Sequence, residues 1–451
     1  MDAKTAAEKK RQMMLTEPVE LLVCKQSVPT IISMLISAFY NMADTYFVGQ
    51  LNTTATAAVG LALPLMNVIQ AIGFFYGHGS GNYISRCLGS GNTESAKKTA
   101  DTAVALSLIS GFALMILGLI FVNPLVVLLS ALPQLVGPSA EYVSIVLIGM
   151  PFVMTSFTMN NQLRFQGSAY KGMIGMACGS LLNVALDPLF IYGFDMGVRG
   201  AAVATVIGQI TSFVMLLGMS GRLHLRKPEI SFTRSILGAI VRFGVPSLLR
   251  QSIMSVATIC LNHAAGDYGE AVIAAISVVS KIVMVGAFVV IGIGQGFQPV
   301  CGFNNGAGRY DRVKRMYLFC IAATSSFMLV FGAVVFIFAP QLILVFRNDP
   351  AVLEAGLPLL RFQCITGVLQ GIIIMTNMLL QNMGKTVSAS ILAMARQGLI
   401  FIPLVYILPH FFGITGLQIT QSAADFLTAL ITLPMTIISL NELGKKTPEK
   451  L

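Results

Sequence analysis

One feature constrains this chain more than any other: a long apolar run that recurs from end to end. Runs of roughly 20 residues, enough to cross the hydrocarbon core as helix, stand near 28–48, 55–82, 100–123, 139–163, 170–192 and 199–220. Six more stand near 237–262, 271–298, 316–340, 355–380, 388–410 and 414–440, about twelve in all. They are continuous rather than alternating, which argues for helices and against a β-barrel. Charged residues make up 11% of the 451 and the mean hydropathy is +0.79. A soluble domain is about a quarter charged, so this chain cannot clothe a water-facing surface. The expected fold class is an all-α polytopic membrane protein with twelve transmembrane helices.

The formal net charge is +10, a balance that elsewhere would raise the question of a nucleic-acid partner. Its distribution answers that question. Lys and Arg gather in the N-terminal tail (KTAAEKKRQ), after every second span, and in the C-terminal ELGKKTPEK. The opposite loops (QLNTTATA, GFDMGV, AAGDYGE, RNDPAV) and their edges contain only Arg199 and Arg347. Basic loops stay cytoplasmic, so both termini are expected inside, with the bilayer as partner and no nucleic acid. The first apolar run follows a charged 27-residue tail, unlike a cleavable signal peptide. Seven scattered cysteines form no CxxC pair, so neither a disulfide framework nor a zinc site is expected.

Sliding the sequence against itself gives a match at an offset of 217 residues. VPT at 28–30 meets VPS at 245–247, GHG at 77–79 meets GQG at 294–296, and GSGNTESAKK at 89–98 meets GAGRYDRVKR at 306–315. Asn160 meets Asn377 and Gly167 meets Gly384. Gaps of one or two residues then bring Asp187-Pro188 onto Ile402-Pro403, and GVRG at 197–200 onto GITG at 413–416. Six spans separate corresponding elements, so the halves run parallel, a transporter plan with the substrate path between them. The expected organisation is a cytoplasmic tail (1–27), a first lobe (28–220), a basic linker (221–236), a second lobe (237–440) and a cytoplasmic tail (441–451).

These segments carry a resemblance. GSGNTESAKK and GAGRYDRVKR, SAFYNMADTYFVG in the first span, NNQLRFQGS ending the fourth and LDP in the fifth resemble the multidrug and toxic compound extrusion (MATE) transporters over nearly the whole chain. The loop after the second span does not match the G-x-x-x-D-R-x-G-R run of the major facilitator plan. The resemblance implies a V-shaped transporter of two six-helix lobes in the bacterial inner membrane. It implies export of amphipathic, often cationic compounds in exchange for H⁺ or Na⁺, and no other cofactor. Carried over by position, the cation-coupling set becomes Tyr40, Asp44, Asn160, Asn183, Asp187 and Thr205, with Na⁺ a candidate ligand of Asp44 and Asp187. Relatives that use acids in the seventh and tenth spans are not matched, since VPSLLRQSIMSVATICLNH and GVLQGIIIMTNMLL hold no carboxylate.

The residues lead to the same place by themselves. A charge at bilayer depth costs several kcal/mol, so an intramembrane Asp is a functional candidate. Asp44, Asp187 and Thr205 all fall toward the outer ends of their spans. Tyr40 and Asp44 are four apart, as are Asn183 and Asp187, so each pair shares a helix face. Pro188 has no N–H to give the carbonyl of Val184, which opens the helix beside Asp187. Carboxylates, an amide, a hydroxyl and a free carbonyl suit a small hard cation, and the carboxylates also suit a proton. By depth Asn160 falls toward the cytoplasmic end, and its duplicate Asn377 points to a structural role. In the second half, Leu261 and Ile402 replace the two acids, so ion coupling is expected in the first half alone.

Arg250, Gln251, Lys281 and Asn377 are the candidates for lining a substrate cavity, with Asp425 pairing either Lys281 or Arg396. A lipid or lipid-linked oligosaccharide flippase of the same superfamily is the competing function, and it would need a basic cavity. An enzyme is not expected, since His78, His224, His263 and His410 lie far apart and no HExxH or GxSxG occurs. Nothing requires more than a monomer.

Overall fold

The computed structural model describes residues 3–51, 53–129, 133–220 and 229–445. The ends of both predicted tails, and 221–228 of the predicted linker with His224, lie outside the described residues. Helix α1 (Ala3–Thr16) precedes α2 (Val19–Gly49), the first span. Next come α3 (Thr53–Gly89), α4 (Thr93–Ile120), the short α5 (Val122–Leu129), α6 (Pro133–Phe165), α7 (Ala169–Pro188) and α8 (Gly197–Met219). The second half runs α9 (Arg234–Gly266), α10 (Glu270–Gly306), α11 (Tyr310–Ile337), the short α12 (Ala339–Phe346), α13 (Pro350–Gly367), α14 (Leu369–Asn382), α15 (Thr386–Met394) and α16 (Phe401–Lys445). π-Helical turns follow α7 at Leu189–Gly193 and α15 at Ala395–Leu399.

Ten of these stretches are long and apolar enough to cross a membrane, and α13 with α14, bent by 53°, makes an eleventh. The sixty residues Thr386–Lys445 count once among the ten, yet they break at Gly413 (φ 56°, ψ −140°). Parting them there gives the twelve spans expected from sequence.

The duplication is visible in the backbone. Gly91 (φ 83°) pairs with Gly308 (φ 71°), Gly167 (73°) with Gly384 (76°), and Gly197 (54°) with Gly413 (56°). Each pair is one the sequence register aligns. Left-handed φ is easy only for glycine, so both halves keep glycine where a span turns into the next.

The chain forms two compact units, Ile32–Leu248 and Met1–Ile31 with Leu249–Leu451. Their boundaries fall inside the single helices α2 and α9, not in the 221–236 stretch. In the first unit, an apolar core of Val48, Ile69, Val146, Leu147, Met150 and Met154 joins α2, α3 and α6. Where α7 crosses α8, a Cβ on Gly179 would strike the Gly208 carbonyl oxygen and the Ser212 hydroxyl. A Cβ on Gly208 would come within 2.7 Å of the Gly179 oxygen. Small residues let helix backbones touch in a membrane, and this contact sets the depth at which α7 presents its polar face to α8. In the same unit, Asp101 accepts from the Glu229 N–H (3.0 Å) and Thr102 from the Ser231 N–H (3.0 Å), tying the strap before α9 to α4.

In the second unit, a core built on Ala275, Val279, Ile343, Leu360, Val405 and Ala424 joins α10, α12, α13 and α16. Helix α1 is held to it by hydrogen bonds. Asn304 Nδ2 donates to the Met14 carbonyl (3.2 Å), and the Arg312 guanidinium bridges Asn304 Oδ1 (2.9 Å) and the Glu17 carbonyl.

Candidate cation site

Helix α7 packs closely on α8 and ends in a proline, so its last turns are both buried and irregular. Asn183 and Asp187 lie on one face, 2% and 0% exposed, and Asn183 Nδ2 donates to Asp187 Oδ1 at 3.2 Å. Pro188 offers no N–H, and the Leu189 N–H turns back to the Leu186 carbonyl. The chain then widens into the Leu189–Gly193 π-turn, closed by Phe194 N–H to the Leu189 carbonyl at 2.9 Å. The expected helix opening beside Asp187 is therefore present.

Three elements bring their side chains to this face. From α2, Asp44 lies near enough to Asp187 for their charges to interact, and Tyr40 interacts with both. From α8 comes Thr205, hydrogen-bonded to Tyr142 of α6, both buried. Tyr142 interacts electrostatically with Asp44, Tyr40 and Asp187 in turn. Tyr40, Asp44, Asn183, Asp187 and Thr205 all lie in the first unit. Tyr142 was not anticipated. It occurs early in a span that the sequence reading runs inward, at the depth expected for Thr205, and a buried tyrosine hydroxyl needs a partner; those two signals would have found it.

Asp44 Oδ1, Asp187 Oδ2 and Asn183 Oδ1 are buried with no hydrogen-bond partner among the described residues. Buried acceptors are nearly always satisfied, and orphaning several costs about 1–3 kcal/mol each. The donor set is all oxygen and carries up to two negative charges. Such a set fits H⁺ or a small hard cation such as Na⁺ and suits neither a soft metal nor an anion.

Asn160 stands elsewhere. Its Oδ1 lies against Gly172 of α7, and among the described residues it bonds neither carboxylate. Asn377, its duplicate, donates to the carbonyl of Ala389 at 2.7 Å, and Ala389 aligns with Gly172. Each asparagine thus lies at the corresponding helix pair of its half, Asn160 at α6–α7 and Asn377 at α14–α15. Asn160→Ala is expected to lower thermal stability by about 1 kcal/mol while leaving the ion dependence of transport intact. A loss of ion dependence in that variant would return Asn160 to the coupling set.

Of the second-half candidates, Arg250 and Gln251 are half-buried on α9, Lys281 is exposed on α10, and Asn377 is buried and committed to Ala389. Asp425 takes Arg396 as its partner, at 2.7 Å, rather than Lys281.

The structure is thus a polytopic helical protein made of two copies of one six-span unit, and among the described residues the Asp44–Asp187 pair belongs to the first copy. The MatE family model matches it twice, over residues 29–189 and 246–407, beginning 217 residues apart. The chain belongs to the MatE family of membrane transporters. Multidrug export protein MepA of Staphylococcus saprophyticus is 28% identical over 412 residues, covering 90% of this chain and 91% of that one. MepA of Staphylococcus aureus is 26% identical over 441 residues, 96% of each. Among solved structures, an outward-facing multidrug resistance MATE transporter of the MOP superfamily superposes with a TM-score of 0.88 at 28% identity, covering 96% of this chain and all of that one. A MOP superfamily transporter from Pyrococcus furiosus, described as having a binding pocket of reverse polarity that suggests a different function, superposes at 0.89 with 27% identity, covering 96% and 98%.

Proposed function

We propose that this protein is a cation-coupled exporter in a bacterial cytoplasmic membrane, and that Asp44 and Asp187 bind the coupling ion. The supporting observation is the group of three buried, unpartnered oxygens on two helices, Asp44 Oδ1, Asp187 Oδ2 and Asn183 Oδ1. The MepA relatives support multidrug export as the activity, and amphipathic organic cations as its cargo. An ion held between α2 and α7 stabilises the conformation that brings the two acids together; only such differential affinity can drive the cycle. Without an ion the acids repel, and α2 and α7 are released from one another. The irregular backbone after Pro188 lets α7 yield there without breaking its close contact with α8 at Gly179.

Efflux of a fluorescent organic cation from inverted vesicles under separate pH and Na⁺ gradients tests the reading. One gradient should drive transport and so identify the ion. At zero membrane potential and one-for-one exchange, each tenfold ion gradient supplies about 1.4 kcal/mol and sustains at most a tenfold dye gradient. Dye movement indifferent to both gradients would refute coupling.

A second reading has its own observation. Arg250 lies near the middle of α9, half-buried, with no acidic partner among the described residues. A mid-span guanidinium is costly against lipid, and an anionic headgroup would suit it, as in a lipid or lipid-linked oligosaccharide flippase. That reading expects no dye transport, and full activity toward lipid cargo after Asp44 and Asp187 are neutralised.

A further inference from the structure

Three irregular elements of the second half meet at one buried carboxylate. Asp425 of α16, whose side chain is 2% exposed, accepts from Arg396 Nε at 2.7 Å and from Nη2 at 3.3 Å. Gln421, one turn earlier in α16, donates to it at 3.0 Å, and Gln370 does so more distantly at 3.5 Å. Gln370 stands immediately after the 53° break between α13 and α14. Arg396 stands in the π-turn, closed by the Ile400 N–H to the Ala395 carbonyl at 3.0 Å. Pro403 has no N–H for the carbonyl of Leu399, the last residue of that turn, as Pro188 has none for the carbonyl of Val184.

The pair is poorly explained as a stability device, because an apolar pair of similar volume usually stabilises a protein interior at least as well as a buried ion pair. Nor is it inherited from the repeat. In the GVRG/GITG register the first half has Thr205 and Gln209 where the second has Gln421 and Asp425. The stretch aligned with Arg396, Gly179–Leu181, carries no charge.

The surroundings hold polar groups that Arg396 does not satisfy. Besides the carboxylate, Gln370 Oε1 and Ser422 Oγ are buried with no partner among the described residues, their residues 3% and 8% exposed. The Arg396 side chain is 19% exposed, so the carboxylate is the floor of the cluster and the guanidinium its more open edge. A π-turn carries one extra residue, and shifting it along a helix by one position rotates the side chains it holds by about 100°. Such bulges concentrate at functional sites. The Arg396 fork can therefore swing off Asp425 with little loss of helix.

We propose that Asp425, Gln370, Gln421 and Ser422 form a second cation site, closed by Arg396 as a built-in ligand, and that it takes planar multi-donor organic cations. Guanidinium and amidinium compounds with an apolar body fit it, because they reproduce the two-pronged geometry by which Arg396 already binds the carboxylate. Cargo of this class enters by displacing Arg396. The identity of the ligand as cargo rests on the exporter reading; the binding does not.

The test is equilibrium binding of p-aminobenzamidine, a fluorescent amidinium, to the full-length protein in lipid nanodiscs, with no ion gradient. All samples carry Asp44→Asn and Asp187→Asn, so that binding at the first-half carboxylates does not contribute. The double variant Arg396→Gln/Asp425→Asn gives the baseline. Arg396→Gln removes the competitor and should bind at least tenfold more tightly than the protein with Arg396 intact. The latter should in turn bind tighter than the double variant. Equal affinity in Arg396→Gln and the double variant would overturn the site. Arg396-containing protein no tighter than the double variant would overturn displacement. Should Arg396→Gln not fold, Arg396→Lys keeps the charge but loses the fork; it should bind tighter than Arg396, and equality would overturn the proposal. Failure of ion-driven efflux leaves each of these outcomes unchanged, so the two readings fail separately.

Discussion

Asp187→Asn is expected to abolish gradient-driven efflux in a protein that still folds. Asparagine keeps the shape of the side chain and can still accept from Asn183 Nδ2, now at 3.2 Å from Asp187 Oδ1. It cannot carry the charge that holds a cation, and an amide cannot take up and release a proton as a carboxylate does. A charge-assisted ligand is worth about 1.5–3 kcal/mol, so ion affinity should fall roughly 10- to 100-fold. Efflux under the driving gradient should then drop to the gradient-free leak. Folding should survive, because the change removes a buried charge rather than stranding one. Wild-type efflux in a monodisperse Asp187→Asn protein would show that the carboxylate is structural.

Gly179→Leu should prevent the first unit from forming. Besides the Ser212 hydroxyl, its Cβ would strike the backbone carbonyl of Gly208, which no rotamer change can move. Overpacking a well-fitted interior costs about 1–3 kcal/mol when side chains can give way, and here α7 and α8 themselves must part. That separation would also pull Asn183 and Asp187 away from Thr205. The expected result is loss of the monodisperse peak in detergent. Gly218→Leu, on the same α8 but with open space around its Cβ position, should give normal yield. Folded, active Gly179→Leu protein would mean that the helix contact does not position the site.

Much of this architecture was legible in the sequence because its causes are local or repetitive. Apolar runs of bilayer length can be counted, and a duplicated glycine needs the same left-handed φ in both copies, so Gly91 and Gly308 or Gly167 and Gly384 mark equivalent turns. The acid pair was legible because charge within an apolar run is costly wherever the chain goes, and spacing by four puts Tyr40 with Asp44 and Asn183 with Asp187. A break in regular helix at Pro188 was legible from its missing N–H.

What stayed hidden depends on tertiary placement. Whether Asp425 pairs with Lys281 or Arg396 is a matter of which helix faces α16, and no local pattern decides it. The π-turn at Ala395–Leu399 is marked by Pro403 one turn on, but the proline does not say that the turn aims Arg396 at Asp425. The boundaries of the compact units fall within α2 and α9, where apolar composition is continuous and nothing signals a change of neighbours. Asn160 belongs to the family pattern and yet spends its side chain on the α6–α7 contact, because a short amide reaches only what is packed beside it.

The most direct measurement is binding of the coupling ion itself to purified protein in nanodiscs, by ²²Na⁺ equilibrium exchange and by proton uptake. Wild type, Asp44→Asn and Asp187→Asn are compared with Asn160→Ala as the structural control. Saturable binding of one of the two ions in wild type and Asn160→Ala, lost in both aspartate variants, is the expected result. Retention of that binding in either folded aspartate variant would contradict the carboxylate pair as the coupling site.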